Sequence, residues 1–263
     1  MPSQNNGYIL DNAGQESEAR LPALARAFDS GTIRHLKTLG VTRGWNCLEV
    51  GAGGGSVAQW LANEVGPSGQ VLATDLDPRF LGSVEGGNLE VVRHDILSDP
   101  LPENHFDLIH ARLVLLHIPE RDRALDRMIA ALKPGGWIID EDFDYSVFPD
   151  PERNPEEVLL KTHQAMMRLM DDRGIDRNYG RRVFGRLRAR GLVNIGAEGR
   201  TFLWSGGSPG PTLMRANYEQ LKDGMISAGY LTPSQLQEDL AALNAPDFLM
   251  PSPVLWAAWG QKC

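Results

Sequence analysis

The sequence predicts an α/β fold: a doubly wound, mostly parallel sheet of seven strands whose last strand runs antiparallel. Three observations carry this. Short β-rich runs alternate with helix-period segments from Trp45 onward, the first run (WNCLEV) ends in a turn holding Gly51, Gly53, Gly54 and Gly55, and an acid stands at the end of each of the first three runs, Glu49, Asp75 and Asp95. Such alternation buries a parallel sheet between two helical layers. The right-handed crossover rule makes it doubly wound and gathers ligand groups at the carboxyl ends of the strands.

The elements follow in order. Residues 16–39 predict two helices, one with Leu21, Leu24, Ala25 and Phe28 along a face, the other with Ile33, Leu36 and Leu39. After WNCLEV, SVAQWLANEV keeps helical spacing through Val57, Trp60, Leu61 and Val65 until GPSG stops it. QVLATDLD, LEVVRHDI, FDLIHARL and GGWIIDEDFD are strands two to five. The helix PERDRALDRMIAALKPGG lies between the last two. NPEEVLLKTHQAMMRLMDD is then a helix with Pro155 in its first turn and a stripe through Val158, Leu159, Thr162, Met166, Leu169 and Met170. GRTFLWSG reads as extended, a Pro/Gly loop and two helices follow, and PVLWAAWG is expected as an edge strand beside residues 200–204. The expected division is an N-terminal helical lid (1–40), a cofactor-binding core (41–145), a helical cap insertion (146–185) and a C-terminal completion of the sheet with a helical insertion (186–263).

Composition narrows the classes. A chain of 263 residues that is 42 % hydrophobic suffices for one large domain or one domain with an inserted cap, and no apolar run approaches the length of a membrane span. The polar N-terminus lacks the basic-then-apolar layout of a signal peptide, and with only Cys47 and Cys263 a reducing cytoplasm is expected. A net charge of −8 argues against nucleic acid as a partner, and the local basic patch GRRVFGRLRARG reads as a solvated helix face. A small-molecule substrate is the expected partner; a homodimer is left open.

A glycine-rich strand-to-helix turn presents backbone N–H groups to anionic or polar ligand groups. Gly51 and Gly53 match a dinucleotide fingerprint, but its sixth position is Ser56. Glu49-x-Gly51-x-Gly53-x-Gly55 describes the residues better, and a carboxylate there repels a pyrophosphate while complementing an ammonium group. Asp75 stands where an acid accepts from two ribose hydroxyls. Asp95 is placed to accept from the exocyclic amine of adenine, with Ile96 against the base. One aspartate at a strand end is an ordinary turn residue; acids at three successive strand ends form a pattern.

With LEVGAGGGS, VLATDLDP, RHDI, FDLIHARLVLLHI and LKPGGW in this order, residues 41–145 resemble the class I S-adenosylmethionine-dependent methyltransferases, whose sheet is Rossmann-like. The resemblance implies S-adenosyl-L-methionine as cofactor and S-adenosyl-L-homocysteine as product. It implies that Glu49, Gly51, Ala52, Gly53 and Ser56 surround the methionine end, and that Asp75 and Leu76 hold ribose and adenine. Asp95 and Ile96 then take the adenine edge, and His110 or Ala111 the methionine end again. Tyr8, in the apolar GYILD, is expected to close over the cofactor. More narrowly, YILDNAGQESEAR followed by GWNCLEVGAGGGS resembles small-molecule methyltransferases of actinobacterial type, many acting on natural products.

Methyl transfer is an in-line displacement, so the protein chiefly aligns nucleophile, methyl and sulfur; a hydroxyl nucleophile also benefits from a general base. His117, His163, Glu141, Asp142 and Asp144 are the candidates, with His117 and Asp142 assigned catalytic roles. His117 is either that base or a packed histidine. His163 lies beside the methionine stripe of the cap helix, and the DEDFD acids either line the substrate mouth beyond the fifth strand or face solvent. Catechol-type methyltransferases bind Mg²⁺ through an acid ending the fourth strand and an Asp-Asn pair after the fifth. Here the fourth ends HAR and no Asp-Asn follows, so no metal is expected. Six tryptophans and eight methionines provide adaptable apolar surface for an aromatic substrate, or simply fill the core. Two other readings remain. A nicotinamide-dependent oxidoreductase is disfavoured by Ser56, Glu49 and the lack of a Tyr-x-x-x-Lys pair; a non-catalytic S-adenosylmethionine-binding protein is compatible with the same motifs.

Overall fold

The structure, a computed structural model, describes residues 10, 16–82, 86–147 and 160–263. After α1 (Glu16–Thr38), strand and helix alternate: β1 (Asn46–Val50), α2 (Ser56–Val65), β2 (Gln70–Asp75), β3 (Leu89–Arg93), β4 (Phe106–Arg112), α3 (Arg121–Ala131) and β5 (Leu132–Asp144). Then come α4 (Lys161–Asp172), α5 (Val183–Ala189), β6 (Val193–Arg200), β7 (Leu203–Ser205), α6 (Pro209–Ser227), α7 (Pro233–Ala242), β8 (Leu249–Pro251) and β9 (Val254–Gln261). The main sheet has seven strands in the order β3-β2-β1-β4-β5-β9-β6. Its first five are parallel, and β9 runs antiparallel to both neighbours. The reversal of order between β1 and β4 opens the crevice where ligands bind in doubly wound sheets.

Both faces of the sheet are covered, which is why its central strands read as near-continuous apolar runs. Cys47, Leu108 and Ile139 pack on α2 through Val57, Leu61 and Val65, while Leu48, Ile109 and Ile138 pack on α3 through Leu125 and Met128. Register then fixes which polar residues share a layer. Glu49 is paired with His110, and Arg112 with Glu141, so all four point to the α2 side; Asp140 and Asp142 point the other way.

Three expectations about elements change. Residues 16–38 form one helix, not two. Gly31 lies within it, and a Cβ there would collide with the guanidinium of Arg200, so the glycine makes room for that side chain. The C-terminal run is an interior strand, not an edge, since β9 inserts between β5 and β6. Its neighbour admits it through glycines: a Cβ on Gly196 would meet the Trp259 ring at 2.4 Å, and one on Gly199 the Trp256 ring at 3.2 Å. The DEDFD acids do not follow the fifth strand; they lie inside β5.

GRTFLWSG divides between β6 and β7, and β7 pairs with β8 in a separate two-stranded sheet. The cap helix is described from Lys161 onward, so Pro155, Val158 and Leu159 lie outside the described residues, as does Tyr8. Most of the basic patch is paired within the fold. Arg186 pairs with Asp122, Arg190 with Asp126 at 2.6 Å and Arg182 with Asp176 at 2.7 Å. Among the described residues no helix is long and apolar enough to cross a membrane.

Candidate functional site

The glycine turn closes on itself before it opens on anything else. Ala52 N–H donates to the Thr74 carbonyl at 2.9 Å and Gly55 N–H to the Ala52 carbonyl at 2.8 Å. Gly51, Gly53 and Gly55 all adopt positive φ, where a side chain is strained. At Gly51 a Cβ would also come within 2.4 Å of Val114 Cγ2. Val114 reaches that point because Leu113, just past β4, is itself held at φ 57°. Such local strain gathers at functional sites.

Around this turn lies a cavity of about 1230 Å³. Glu49, Gly51, Ala52, Gly53, Ser56, Asp75, Leu76, Asp95 and Ile96 all line it, so nine of the sequence-predicted binding residues meet at one place. Asp75 accepts from Gly53 N–H and from Asp77 N–H, each at 2.9 Å. Burial raises its pKa above the ordinary carboxylate value, only partly offset by those two N–H bonds. Leu76 beside it is 43 % exposed, an apolar face turned to the cavity. Asp95 accepts from Leu97 N–H at 2.9 Å, and Ile96 is buried.

His110 and Ala111 do not line the cavity; they lie in the sheet beneath it. His110 supports Glu49 from below: its Nδ1 donates to Glu49 Oε2 at 2.7 Å and its Nε2 to Glu141 Oε2 at 3.3 Å. Burial alone would discharge the imidazole, but the two carboxylates outweigh it and push its pKa up to about 9. Glu141 is likewise fully buried, yet His110, Arg112 and Thr32 hold its pKa down at about 2. Thr32 donates to Glu141 and accepts from Arg112 at 2.9 Å; Arg200 reaches Glu141 Oε1 at 3.0 Å and Arg112 reaches Asp29 at 2.8 Å. A continuous polar chain therefore runs from the cavity to α1 and β6, with both signs of charge paired along it.

The remaining candidates separate. His117 lines the cavity, near the end of the turn after β4, and is 7 % exposed. Burial, with Arg20 and Arg121 nearby, lowers its pKa to about 3, so the ring is neutral. Asp142 faces away from the cavity: fully buried on the α3 side, it accepts from Leu116 N–H at 3.2 Å. Burial and the neighbouring Asp140 raise its pKa well above the usual value, and it reaches no part of the cavity where a base would act. Glu141 and Asp144 do not line the cavity either; from this strand end Phe143 and Tyr145 do. His163 is fully buried and pairs with the Tyr218 hydroxyl at 3.1 Å. Among the described residues no three His, Cys, Asp or Glu side chains converge as a metal site would need.

Arg20 and Asn217 are among the polar lining residues that the sequence pattern did not single out. Arg20 of α1 is 4 % exposed at the glycine end and donates to the Leu10 carbonyl at 3.0 Å. Asn217 of α6 sits among Leu213, Leu221 and the α4 residues Met166 and Met170. For Arg20 the only signal was a charge on an otherwise apolar helical face; for Asn217 it was an amide one residue before the apolar stripe position Tyr218.

The chain can be set beside known proteins at this point. Residues 48–140 match the model of a methyltransferase domain. The ubiquinone/menaquinone biosynthesis C-methyltransferase UbiE of Pseudomonas putida is 33 % identical over 108 residues, 38 % of this chain and 42 % of that protein. The chain thus spans about two fifths of the length of the curated relatives it matches. Among solved structures, phosphoethanolamine N-methyltransferase 2 of Haemonchus contortus, bound to phosphomonomethylethanolamine and S-adenosylhomocysteine, superposes with a TM-score of 0.63 at 16 % identity, covering 100 % of this chain and 61 % of that one. The YcgJ protein of Bacillus subtilis superposes with a TM-score of 0.56 at 17 % identity, covering 89 % and 98 %. At these identities the superpositions establish the fold.

Proposed function

Since the chain carries a class I S-adenosylmethionine-dependent methyltransferase domain, we propose that it transfers a methyl group from S-adenosyl-L-methionine to an apolar, aromatic small molecule, at O, N or C and without a metal. The observation that carries this is a single cavity with two chemistries. One end bears Glu49, the glycine turn, Asp75 and Asp95; the other is walled by Phe143, Tyr145, Met166, Met170, Leu213 and Leu221. Its volume of about 1230 Å³ exceeds the ~300–1000 Å³ usual for one ligand, leaving room for cofactor and acceptor together.

The residues present fit the cofactor. Glu49 complements the ammonium of its methionine end and Arg20 the carboxylate, while Asp75 accepts from the ribose hydroxyls. Leu76 and Ile96 offer apolar faces to adenine and Asp95 an acceptor to its amine. The bound cofactor supplies an electrophilic methyl on a sulfonium; the chain's own task is orientation. His110 keeps Glu49 fixed at the strand end. His117, neutral and buried, is a weak proton acceptor, so alignment carries the rate and the apolar wall excludes water. We assign residues 1–40, 146–185 and the α6–α7 insertion to closure over the acceptor, a role in natural-product chemistry fits such a pocket, and the protein works in the cytoplasm.

Calorimetry tests the first half: S-adenosylmethionine and S-adenosylhomocysteine should bind, and NAD(H) should not. Tight NAD(H) binding without a response to S-adenosylhomocysteine would return the site to the oxidoreductase reading. Transfer of a labelled methyl group to a panel of phenols and indoles tests the second half. Cofactor binding with no transfer to any of them favours a non-catalytic cofactor-binding protein.

A further inference from the structure

The apolar wall holds one polar side chain that the fold does not use. Asn217 lies mid-way along α6, is 8 % exposed, and lines the cavity with Leu213 and Leu221 one turn to either side. Its Oδ1 is buried and has no hydrogen-bond partner among the described residues. The rest of the wall from α4 and α6 is Met166, Met170 and those two leucines, without a charge. Asparagine is a weak helix former, and an amide buried without a partner loses its bonds to water for nothing. A leucine would complete the stripe at lower cost. An amide whose residue lines a ligand cavity and whose oxygen finds no partner in the fold is a group that a ligand can pair.

We propose that Asn217 binds and orients the methyl acceptor, exchanging hydrogen bonds with a neutral hydroxyl or carbonyl on an otherwise apolar ring system. The proposal rests on the methyl-transfer reading and narrows its substrate class. A primary amide both donates and accepts, so it matches a hydroxyl or carbonyl in either sense. An ionised group is disfavoured, because nothing on this wall would balance its charge. His117, which also lines the cavity, is neutral and adds no countercharge.

The test uses the full chain saturated with S-adenosylhomocysteine and two probes of one shape, 2-naphthol and 2-methylnaphthalene, titrated by fluorescence. The wild type should bind 2-naphthol about tenfold more tightly, the worth of one net hydrogen bond. Asn217→Leu should bring the ratio to about one, leave S-adenosylhomocysteine affinity unchanged, and raise Tm by about 2–4 °C in the absence of probe. The rise is the readout that a structural role would not produce, since an amide serving the fold would lower Tm when lost. A preference that survives in Asn217→Leu, the absence of 2-naphthol binding or preference in the wild type, or a lowered Tm would each overturn the proposal. Failure of the wild type to bind S-adenosylhomocysteine would instead overturn the methyl-transfer reading beneath it.

Discussion

Asp75 and His117 show how differently two cavity residues are held. Asp75 already accepts from two backbone N–H groups and sits at the lip of the glycine turn. Its carboxylate is positioned before any ligand arrives. Asp75→Ala should weaken S-adenosylhomocysteine binding by about 1–3 kcal/mol, the cost of leaving ribose hydroxyls without a charged acceptor. Calorimetry reads this directly, and unchanged affinity would remove Asp75 from the site. His117 is kept neutral by burial and two nearby guanidinium groups, with its pKa lowered to about 3. So weak a base contributes little proton transfer. His117→Ala should lower kcat by about tenfold or less with cofactor affinity nearly intact; a loss of roughly two to four orders of magnitude would make it the general base.

At the scale of elements, the joint between α1 and the sheet carries the most specific chemistry. Thr32 and Asp29 of α1 meet Glu141 and Arg112, and Arg200 of β6 passes over Gly31 to reach the same Glu141. Gly31→Ala would gain helix propensity of about 1 kcal/mol, yet its methyl occupies the space of the Arg200 guanidinium. The arginine must swing away and leave the fully buried Glu141 short of a cation. We expect a net loss of about 2 kcal/mol in denaturant unfolding. A stabilised variant would show that the guanidinium position is not constrained.

For the whole molecule, the buried chain of charges sets a pH dependence. The folded pKa of His110 is about 9 against an ordinary 6.5, so its ion pairs contribute fully below about pH 6.5 and are lost as pH rises through about 9. Glu141 works in the opposite sense: its pKa is depressed to about 2, so its contribution is present above about 4.5 and lost only in strong acid. Between pH 6.5 and 9 the wild type should therefore lose on the order of 2–3 kcal/mol more stability than His110→Gln. Urea titrations across that range measure it. The buried Asp140, whose own raised pKa of about 7 falls near the lower end of the window, is partly held down by the His110 charge, so the two proteins are compared over the upper part of the range. Equal slopes in the two proteins would mean that His110 is not charged.

What the sequence determined by itself was everything governed by local pattern. Short β-rich runs alternating with helix-period segments placed the five parallel strands, and a cluster of glycines marked the turn. Acids at Glu49, Asp75 and Asp95 marked the strand ends that converge on the cavity. These signals are legible because each rests on neighbours in the chain. The tertiary structure alone decided what depends on two distant segments meeting. β9 became an interior strand because Gly196 and Gly199, some sixty residues away, leave space for its tryptophans. Position 31 of α1 takes glycine because the Arg200 guanidinium occupies the place of a side chain there. The DEDFD acids divide between the two faces of the sheet because strand register, not position past a strand, sets the face of a side chain. Asn217 became a feature of the site only when α4 and α6 closed an apolar wall around an amide whose own helix offers it no partner.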